Sequence, residues 1–419
     1  MKKLMLFIIA VVIGVFVYFY INKDTVYEIL KDVENEEFYI TNYSIYGTHM
    51  NINGCIDKVI EGDISLVLKN KKEEILVDSN FSNENNKTCF SLSDNYNDGL
   101  YLDDLKVGNF LLLVKVDSNS EISYYTLNNK TEYKNLEYYT ITKNNSNNKI
   151  DVLFDVYKDK NYLEFKIKEQ SLSKDVYDIT IDPGHGGKDV GASGKLNGTT
   201  YYEADLTLKI SMLLKKELED LGLRVKMSRE EDIKVDPYGE GGRALIPNEV
   251  NSKYSLSIHL NSASGTMTDG GVEVYTPNDI NLDLATLIAD NISNVVGYSK
   301  KPTDKISRGI YYTCFTKKDI EESKEEMLES DMKPYDIKVG SPYMYMIREV
   351  GGIHTGAYID GRNEYYGLNN YYNSNKVAEP YLLELAYINY NNDLKTLVKN
   401  PEKFSHAISS ALKEHLNIS

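Results

Sequence analysis

A histidine in the C-terminal half occupies a position that suits chemistry. His185 lies in the glycine-rich turn of residues 182–187, directly after the strand-like run 179–181. Glycines in such a turn permit close approach and unusual backbone angles. The alternative is a tight strand-to-helix turn whose histidine only hydrogen-bonds locally, and the turn alone leaves both interpretations open.

A second histidine and a glutamate stand where apolar residues are expected. In residues 255–259 the serines and His259 face one way and the apolar residues the other, so a central strand would have a polar face. Glu384 interrupts the apolar run 381–388, which is typical of a strand buried on both faces. Because an unpaired buried carboxylate is costly, Glu384 requires a cation, a strong donor or a catalytic role.

Both glutamates of this region also have structural explanations. Glu384 could pair with an arginine such as Arg229 or Arg243. Residues 200–203, Thr-Tyr-Tyr-Glu, match a capping box in which Glu203 closes the start of a helix. For Glu203 alone, capping is the simpler interpretation.

The surrounding elements alternate between strands and helices. Leucines and isoleucines recur at helical spacing from Leu206 to Leu221, and Gly222 stands where a C-cap glycine belongs. We predict strands at 179–181, 224–228, 255–259, 272–275 and 381–388, and further helices at 281–296 and 401–416. Such alternation predicts an α/β fold with an open, mainly parallel sheet flanked by helices, whose sites gather beyond the C-terminal ends of the strands.

Four motifs in this region, taken in order, resemble the zinc-dependent N-acetylmuramoyl-L-alanine amidases. They are Ile-Asp-Pro-Gly-His-Gly-Gly-Lys-Asp at 181–189 with Gly191, then Glu203, then Ser-Ile-His-Leu-Asn at 257–261, and Leu-Glu-Leu at 383–385. The resemblance covers residues 177–419. It implies a catalytic domain that hydrolyses a cell-wall amide.

The resemblance implies that His185, Glu203 and His259 bind one zinc ion and that Glu384 is the catalytic carboxylate. Two imidazoles and one carboxylate leave zinc a fourth position for water, as in hydrolytic sites. The metal would lower the pKa of that water and polarise the scissile carbonyl, and Glu384 would pass the water's proton to the leaving amine. Asn261 and Arg243 are the candidates for substrate binding.

The substrate follows from the resemblance alone. It is the amide bond of peptidoglycan between N-acetylmuramic acid and the first L-alanine of the stem peptide. Two other functions stay open: a catalytically inactive peptidoglycan-binding or regulatory protein, and a zinc peptidase that acts on the stem peptide.

The sequence departs from the family in two places. Glycine and phenylalanine commonly follow the catalytic glutamate and leucine, whereas this chain has Ala386 and Tyr387. Residues 310–366 predict an insertion with an acidic helical stretch at 317–332, either a surface elaboration or a lid or autoinhibitory element. His354 lies in this insertion, but Glu203 already completes the ligand set.

Residues 25–170 predict an all-β, sandwich-like domain. Short strand-like runs lie at 37–40, 64–68, 110–114 and 162–167, and segments rich in Asn, Ser, Asp and Gly separate them. The region shows no helical periodicity. His49 is the only histidine here, and a lone histidine is usually structural. Its position between anchor and enzyme predicts a wall-binding or partner-binding module, or a spacer.

Residues 1–24 predict a membrane anchor. Two lysines precede an apolar run, residues 4–21, which as a helix spans roughly 27 Å, close to the hydrocarbon thickness of a bilayer. Aromatic residues at 18–20 suit a membrane interface better than a cleavage site. We therefore expect a single-pass protein of the cell membrane with the catalytic domain extracellular, the alternative being secretion after signal cleavage.

Charge and cysteine content limit the remaining possibilities. The net charge of −16 repels phosphates, so no nucleic-acid partner is expected. Cys55, Cys89 and Cys314 form no Cys-x-x-Cys pair and therefore no zinc site of their own. In an oxidising exterior Cys55 and Cys89 could bridge, although buried free thiols are equally compatible with the sequence.

Overall fold

The chain is organised around two β-sheets. The computed structural model describes residues 26–46, 49–92, 99–118, 121–130, 136–141, 147–169, 176–237, 241–265, 268–277, 280, 282–300, 305–329, 339–340, 342–350, 353–354 and 378–418. One sheet is formed almost entirely by the N-terminal part of the chain, and the other by the part that contains the candidate site residues.

The N-terminal part is built from strands, as the sequence predicts. They are β1 (Val33–Tyr46), β2 (His49–Ile56), β3 (Asp63–Lys69), β4 (Glu74–Val77), β5 (Asn80–Glu84), β6 (Lys87–Ser91), β7 (Leu100–Tyr101), β8 (Gly108–Ser118), β9 (Glu121–Asn128), β10 (Leu136–Ile141), β11 (Asn147–Tyr157) and β12 (Lys160–Glu169). The presence of a β domain is thus confirmed.

Among the described residues these strands form one continuous, branched sheet, which corrects the sandwich-like part of the prediction. Strand β8 shows the reason, because it is long enough to have different neighbours along its length. Its first half pairs with β12, its second half pairs with β9, and β3 lies along its other edge. Most of these strands contribute side chains to one apolar core.

The run of consecutive apolar residues in β8 is explained by burial on both faces. Phe110, Leu112 and Val114 point into the main core, whereas Leu111 and Leu113 pack against a helical turn at residues 26–30. That turn is a departure from the all-β expectation. It exists because the second face of β8 must also be covered.

The N-terminal sheet contains a disulfide between neighbouring strands. Cys55 of β2 stands opposite Cys89 of β6, and the two sulfurs are bonded. Of the two interpretations that the sequence leaves open, the structure has the bridge. Cys314 is a free thiol.

The second sheet carries the candidate site. Its strands are β13 (Ile179–Pro183), β16 (Val225–Met227), β17 (Tyr254–Asn261), β18 (Glu273–Tyr275), β19 (Lys305–Ser307), β20 (Ile310–Tyr311) and β22 (Glu379–Tyr387); β14 (Ser193–Leu196) and β15 (Thr199–Tyr202) form a separate hairpin, and β21 (Ile353–His354) joins the N-terminal sheet. The helices are α1 (Glu203–Asp220), α2 (Ile246–Glu249), α3 (Asp283–Val296), α4 (Lys317–Glu329), α5 (Tyr345–Val350), α6 (Asn391–Lys399) and α7 (Pro401–His415).

The strand order of this sheet is β16-β13-β17-β22-β18-β20-β19. The first four strands are parallel, β18 is antiparallel to β22, and β19 is antiparallel to β20. The sheet is therefore mixed. The prediction of a mainly parallel sheet is accurate for the four strands from β16 to β22, and the antiparallel β18 departs from it. Helix α7 packs against both α1 and α3, and the three helices cover one face of the sheet.

The predicted insertion packs partly against the opposite face. Met346, Ile347 and Val350 of α5 contact a small apolar cluster that includes Leu382 of β22 and Tyr275 of β18. Further along, β21 pairs antiparallel with β1 of the N-terminal sheet. Within the described residues, part of this segment thus contributes to a core and is more than a surface elaboration.

The predicted membrane anchor, residues 1–24, lies outside the described residues. Among the helices that are described, none has both the length and the apolar character needed to cross a bilayer.

Candidate metal centre

Parallel pairing of two central strands places His185 and His259 at the same edge of the sheet. Pro183, at the end of β13, is in register with Ile258 of β17. His185 follows two residues later in the turn, and His259 follows one residue later on the strand. The rings lie edge to face, with centroids 5.0 Å apart.

Glu203 reaches the same point from the first residue of α1. Its carboxylate accepts hydrogen bonds from the backbone N–H groups of Ala192 and Leu260, both at 2.9 Å. Tyr202 is the N-cap of the helix and makes no side-chain capping bond. The capping-box interpretation is therefore wrong: Glu203 begins the helix, but its carboxylate turns towards the two histidines.

The three side chains form a group that could hold a metal ion. Glu203 Oε2 lies 3.2 Å from Nε2 of His185, and Oε1 lies 3.0 Å from Nδ1 of His259. One ligand atom from each residue lies within 4.8 Å of the others. The Nε2 of His259 is buried and has no hydrogen-bond partner among the described residues. A buried nitrogen without a partner, in a set of borderline N and O donors, fits a divalent cation such as zinc.

The electrostatics of the group also favour a cation. Burial alone would lower the pKa of His185, but the carboxylates of Glu203 and Asp189 raise the pKa to about 9. Burial would raise the pKa of Glu203, yet hydrogen bonds from the two histidines hold this pKa well below its usual range. The Glu203 and Asp189 carboxylates that stabilise a positive charge on His185 would also stabilise a metal ion at this point.

Two glycines are required because a side chain would collide with the ligands. A Cβ at Gly184 would lie 2.5 Å from Cε1 of His259, and a Cβ at Gly191 would lie 2.7 Å from the Oε2 of Glu203. His185 itself has a φ of 60°, which is unusual for a residue other than glycine. Strain of this kind concentrates at functional sites.

Glu384 lies beside the metal group on the adjacent strand. It is in register with His259 of β17, so both side chains project from the same face of the sheet. The carboxylate Oε2 is buried and has no hydrogen-bond partner among the described residues. Burial raises the pKa of Glu384 to about 7. A carboxyl with a pKa near neutrality is suited to taking and returning a proton.

The alternative in which Glu384 pairs with Arg229 or Arg243 is wrong, because neither arginine contacts the Glu384 carboxylate. Arg229 donates hydrogen bonds to the carbonyls of Pro183, Gly184 and Ala204, thereby tying the His185 turn to the start of α1. The buried guanidinium of Arg229 thus holds together the two chain segments that carry His185 and Glu203.

The side chain of Arg243 is buried behind the His185 turn. It pairs with Asp182 at 3.0 Å and donates to the carbonyl of His185. Ser257 also donates to Asp182, which explains the polar face of β17 that the sequence reveals. These contacts support the turn, and a substrate-binding role for Arg243 stays a prediction.

Asn261 ends β17 next to the candidate centre. Its Oδ1 accepts a hydrogen bond from the backbone N–H of Ser262, and its carbonyl accepts one from Ile388. Its substrate-binding role also stays a prediction. His354 belongs to β21, where its backbone pairs with Ser44.

Asp189 contacts His185, a role that its place in the first motif does not reveal. Asp189 lies four residues after His185 in the first motif, and its Oδ2 is 2.9 Å from the Nδ1 of His185. Its Oδ1 accepts a bond from the N–H of Gly191. A carboxylate in this position fixes the tautomer and the orientation of a ligating histidine.

Replacing Asp189 with asparagine is expected to weaken metal binding by about 10- to 100-fold, the usual effect of losing such an outer carboxylate. Equilibrium dialysis or a competition titration with zinc measures it without any substrate. Asp232→Asn is the matched control, since Asp232 also supports this turn, through Gly187, but does not contact a histidine. Equal affinities of Asp189→Asn and the wild-type chain would contradict the expectation.

Comparison with known proteins agrees with the motifs. Residues 179–321 match the family model described as N-acetylmuramoyl-L-alanine amidase. Over 132 residues the chain is 35% identical to the probable cell wall amidase LytH of Staphylococcus aureus, a stretch that is 31% of this chain and 38% of the relative. The chain thus spans well under half the length of this curated relative.

Solved structures to which the chain is similar include amidases. AmiC2 of Nostoc punctiforme is 22% identical, with a TM-score of 0.39, and covers 58% of this chain and 99% of that chain. The CwlD amidase of Clostridioides difficile, solved in complex with the GerS lipoprotein, is 21% identical with a TM-score of 0.37 and covers 58% of this chain and 100% of that chain. The family match includes His185, Glu203 and His259, whereas Glu384 lies beyond its end.

Proposed function

Since residues 179–321 form an N-acetylmuramoyl-L-alanine amidase domain, we propose that this chain hydrolyses the amide bond between N-acetylmuramic acid and L-alanine in peptidoglycan. The observation that carries the proposal is the convergence of His185, Glu203 and His259 from three separate elements, with Glu384 on the neighbouring strand. A hydrolytic metal site needs such a ligand set together with a general base.

The proposed metal is one zinc ion held by His185, Glu203 and His259. When bound, zinc supplies Lewis acidity to the scissile carbonyl and acidifies a water molecule. Asp189 orients the His185 ring, and Arg229 and Arg243 hold the turn that carries it. Glu384 would receive the proton of the attacking water and return it to the leaving amine of L-alanine, a role supported by its buried carboxylate on the strand next to His259.

Digestion of purified peptidoglycan followed by mass spectrometry tests the proposal. Free stem peptides that begin with an unmodified L-alanine amine are the expected products, and treatment with a chelator should abolish their release until zinc is restored. Internal peptide cleavage would indicate a zinc peptidase. No products from a metal-loaded protein would indicate a binding or regulatory protein.

We further propose that residues 1–24 anchor the chain in the cell membrane with the catalytic domain outside. The Cys55–Cys89 disulfide supports an oxidising exterior, because such bonds rarely persist in the reducing cytosol. Membrane fractionation, protease accessibility on intact cells and N-terminal sequencing separate an anchored protein from one secreted after signal cleavage. Recovery of the full chain in the cytosolic fraction would contradict both.

The proposed domain organisation is an anchor at 1–24, a β domain at 25–170 and an amidase domain at 177–419. We propose that the β domain binds the cell wall or a protein partner; the CwlD amidase is one relative solved with a lipoprotein partner. Co-sedimentation of purified β domain with cell wall, and binding to candidate membrane lipoproteins, test this. A domain that does neither is a spacer.

The insertion of residues 310–366 is proposed as a lid or autoinhibitory element. Its helix α5 packs on the face of β22 from which Glu384 projects. Residues 317–338, which include α4, can be replaced separately from α5. The residues on either side lie close together, because the N–H of Gly340 donates to the carbonyl of Phe315 at 3.0 Å. Replacing residues 317–338 with a short glycine-serine linker therefore preserves α5, and unchanged turnover on purified cell wall would contradict a lid in that excursion.

A further inference from the structure

A second buried carboxylate lies directly across the sheet from Glu384. Glu273 begins the short strand β18, is 0% exposed, and is opposite Glu384 in the antiparallel β18–β22 pair. Directly opposite residues of such a pair project from the same face with their Cβ atoms about 5 Å apart. His259, Glu384 and Glu273 therefore form a row across three adjacent strands.

Three hydroxyl groups hold the Glu273 carboxylate. Tyr275 donates to Oε2 at 2.7 Å, while Ser299 at 2.7 Å and Tyr387 at 2.5 Å donate to Oε1. These donors come from β18, from the segment after α3 and from β22, so one carboxylate joins three parts of the fold.

A β-bulge is what brings Tyr387 to this face. His259 is in register with Glu384, but Asn261 is in register with Tyr387, so β22 contains one more residue than β17 over this stretch. Without the extra residue, strict alternation would point Tyr387 away from Glu384. A bulge next to an active site can redirect a side chain in this way, and here it directs the Tyr387 hydroxyl to Glu273.

We propose that Glu273, together with the hydroxyl of Tyr387, positions Glu384. The contact between Glu273 and Tyr387 fixes β22 against β18 on both sides of the bulge. It thereby sets where the Glu384 carboxylate lies relative to the metal group. The inference rests on the proposed function. It also accounts for a tyrosine at a position where the family commonly has phenylalanine, because phenylalanine lacks the hydroxyl that reaches Glu273.

The test compares two substitutions, their combination and one control. Glu273→Gln keeps the shape of the side chain but presents an amide N–H₂ to a hydroxyl donor. Tyr387→Phe removes only the hydroxyl that bonds Glu273. Tyr381→Phe is the matched control, because Tyr381 lies on the same strand but its hydroxyl bonds Glu379.

With a soluble N-acetylmuramoyl-peptide as substrate, Glu273→Gln is expected to lower kcat by about 10- to 100-fold, the size of effect that a misplaced catalytic group produces. KM, zinc content and Tm should stay close to wild type. Tyr387→Phe should lower kcat by a smaller factor, and the double variant should equal Glu273→Gln, since Tyr387 acts through Glu273. Tyr381→Phe should retain wild-type kcat.

Wild-type kcat in both Glu273→Gln and Tyr387→Phe would overturn the inference, as would a loss explained entirely by lower zinc content or Tm. If Glu273→Gln does not fold, Tyr387→Phe decides by the same criterion. If the wild-type chain releases no stem peptide, the proposed function fails separately. Crystal structures of wild type and Tyr387→Phe then decide, with a displaced Glu384 carboxylate supporting the positioning role and an unmoved one refuting it.

Discussion

Substituting Glu384 with alanine is expected to abolish release of stem peptides while zinc remains bound. The three ligand residues come from the His185 turn, from α1 and from β17, so the metal group is complete without β22. A positioned general acid–base group contributes about 10²- to 10⁴-fold to turnover. Turnover by mass spectrometry and zinc content by elemental analysis, on the same preparation, measure both effects.

The isosteric Glu384→Gln variant separates chemistry from packing. It fills the same volume but cannot take a proton, so its loss of turnover should match that of the alanine variant. Glu379→Gln, at the other end of the same strand, is the control and should retain hydrolysis. Full activity of Glu384→Ala would refute the role assigned to this carboxylate.

Substituting His185 with alanine is expected to remove both zinc and activity. Two ligands do not satisfy a metal that requires three protein ligands and one exchangeable position. We expect zinc affinity to fall by more than the roughly 10- to 100-fold typical of an outer carboxylate such as Asp189. Zinc titration measures the affinity, and peptidoglycan digestion measures the activity.

His406→Ala is the matched control for His185→Ala. His406 is exposed on α7 and contacts Glu217, outside the metal group. This variant should bind zinc and hydrolyse peptidoglycan as the wild-type chain does. Retention of stoichiometric zinc in His185→Ala would contradict the ligand assignment, whatever happens to activity.

Much of the C-terminal part of the chain follows from periodicity. Helical spacing from Leu206 to Leu221 predicts α1, which spans Glu203–Asp220, and the helix predicted at 401–416 spans Pro401–His415. These boundaries are set locally, by the spacing of apolar residues and by the residues that flank them. The pairing direction of β18 was not predictable, because it depends on strands far away in the chain.

The N-terminal part shows where such local reasoning ends. Its alternating strands identified an all-β region, but they contained no information about branching of the sheet around β8. The described helical residues 26–30 pack on Leu111 and Leu113, a contact between distant parts of the chain that local sequence patterns do not show. Both features are consequences of packing.

For the site, residue types alone revealed which side chains needed an explanation. Glu384 was anomalous in an apolar strand, and the serines and His259 made a polar face on another, since burial of polar groups is costly wherever it occurs. The same criterion applied to Glu273, between Val272 and Val274, would have found it too. Glu203 was ambiguous, because a helix-opening glutamate is also the typical residue of a capping box.

The sequence by itself determined the candidate ligand types, the candidate base and the family that residues 179–321 match. Only the tertiary structure decided that the Glu203 carboxylate turns to the histidines, that Arg243 pairs with Asp182, and that a bulge directs Tyr387 to Glu273. The reason is physical: a residue's chemistry is a property of its type, whereas its partners depend on strand register and on chain segments that are distant in sequence. Register set by the whole sheet thus brings His259, Glu384 and Glu273 into one row.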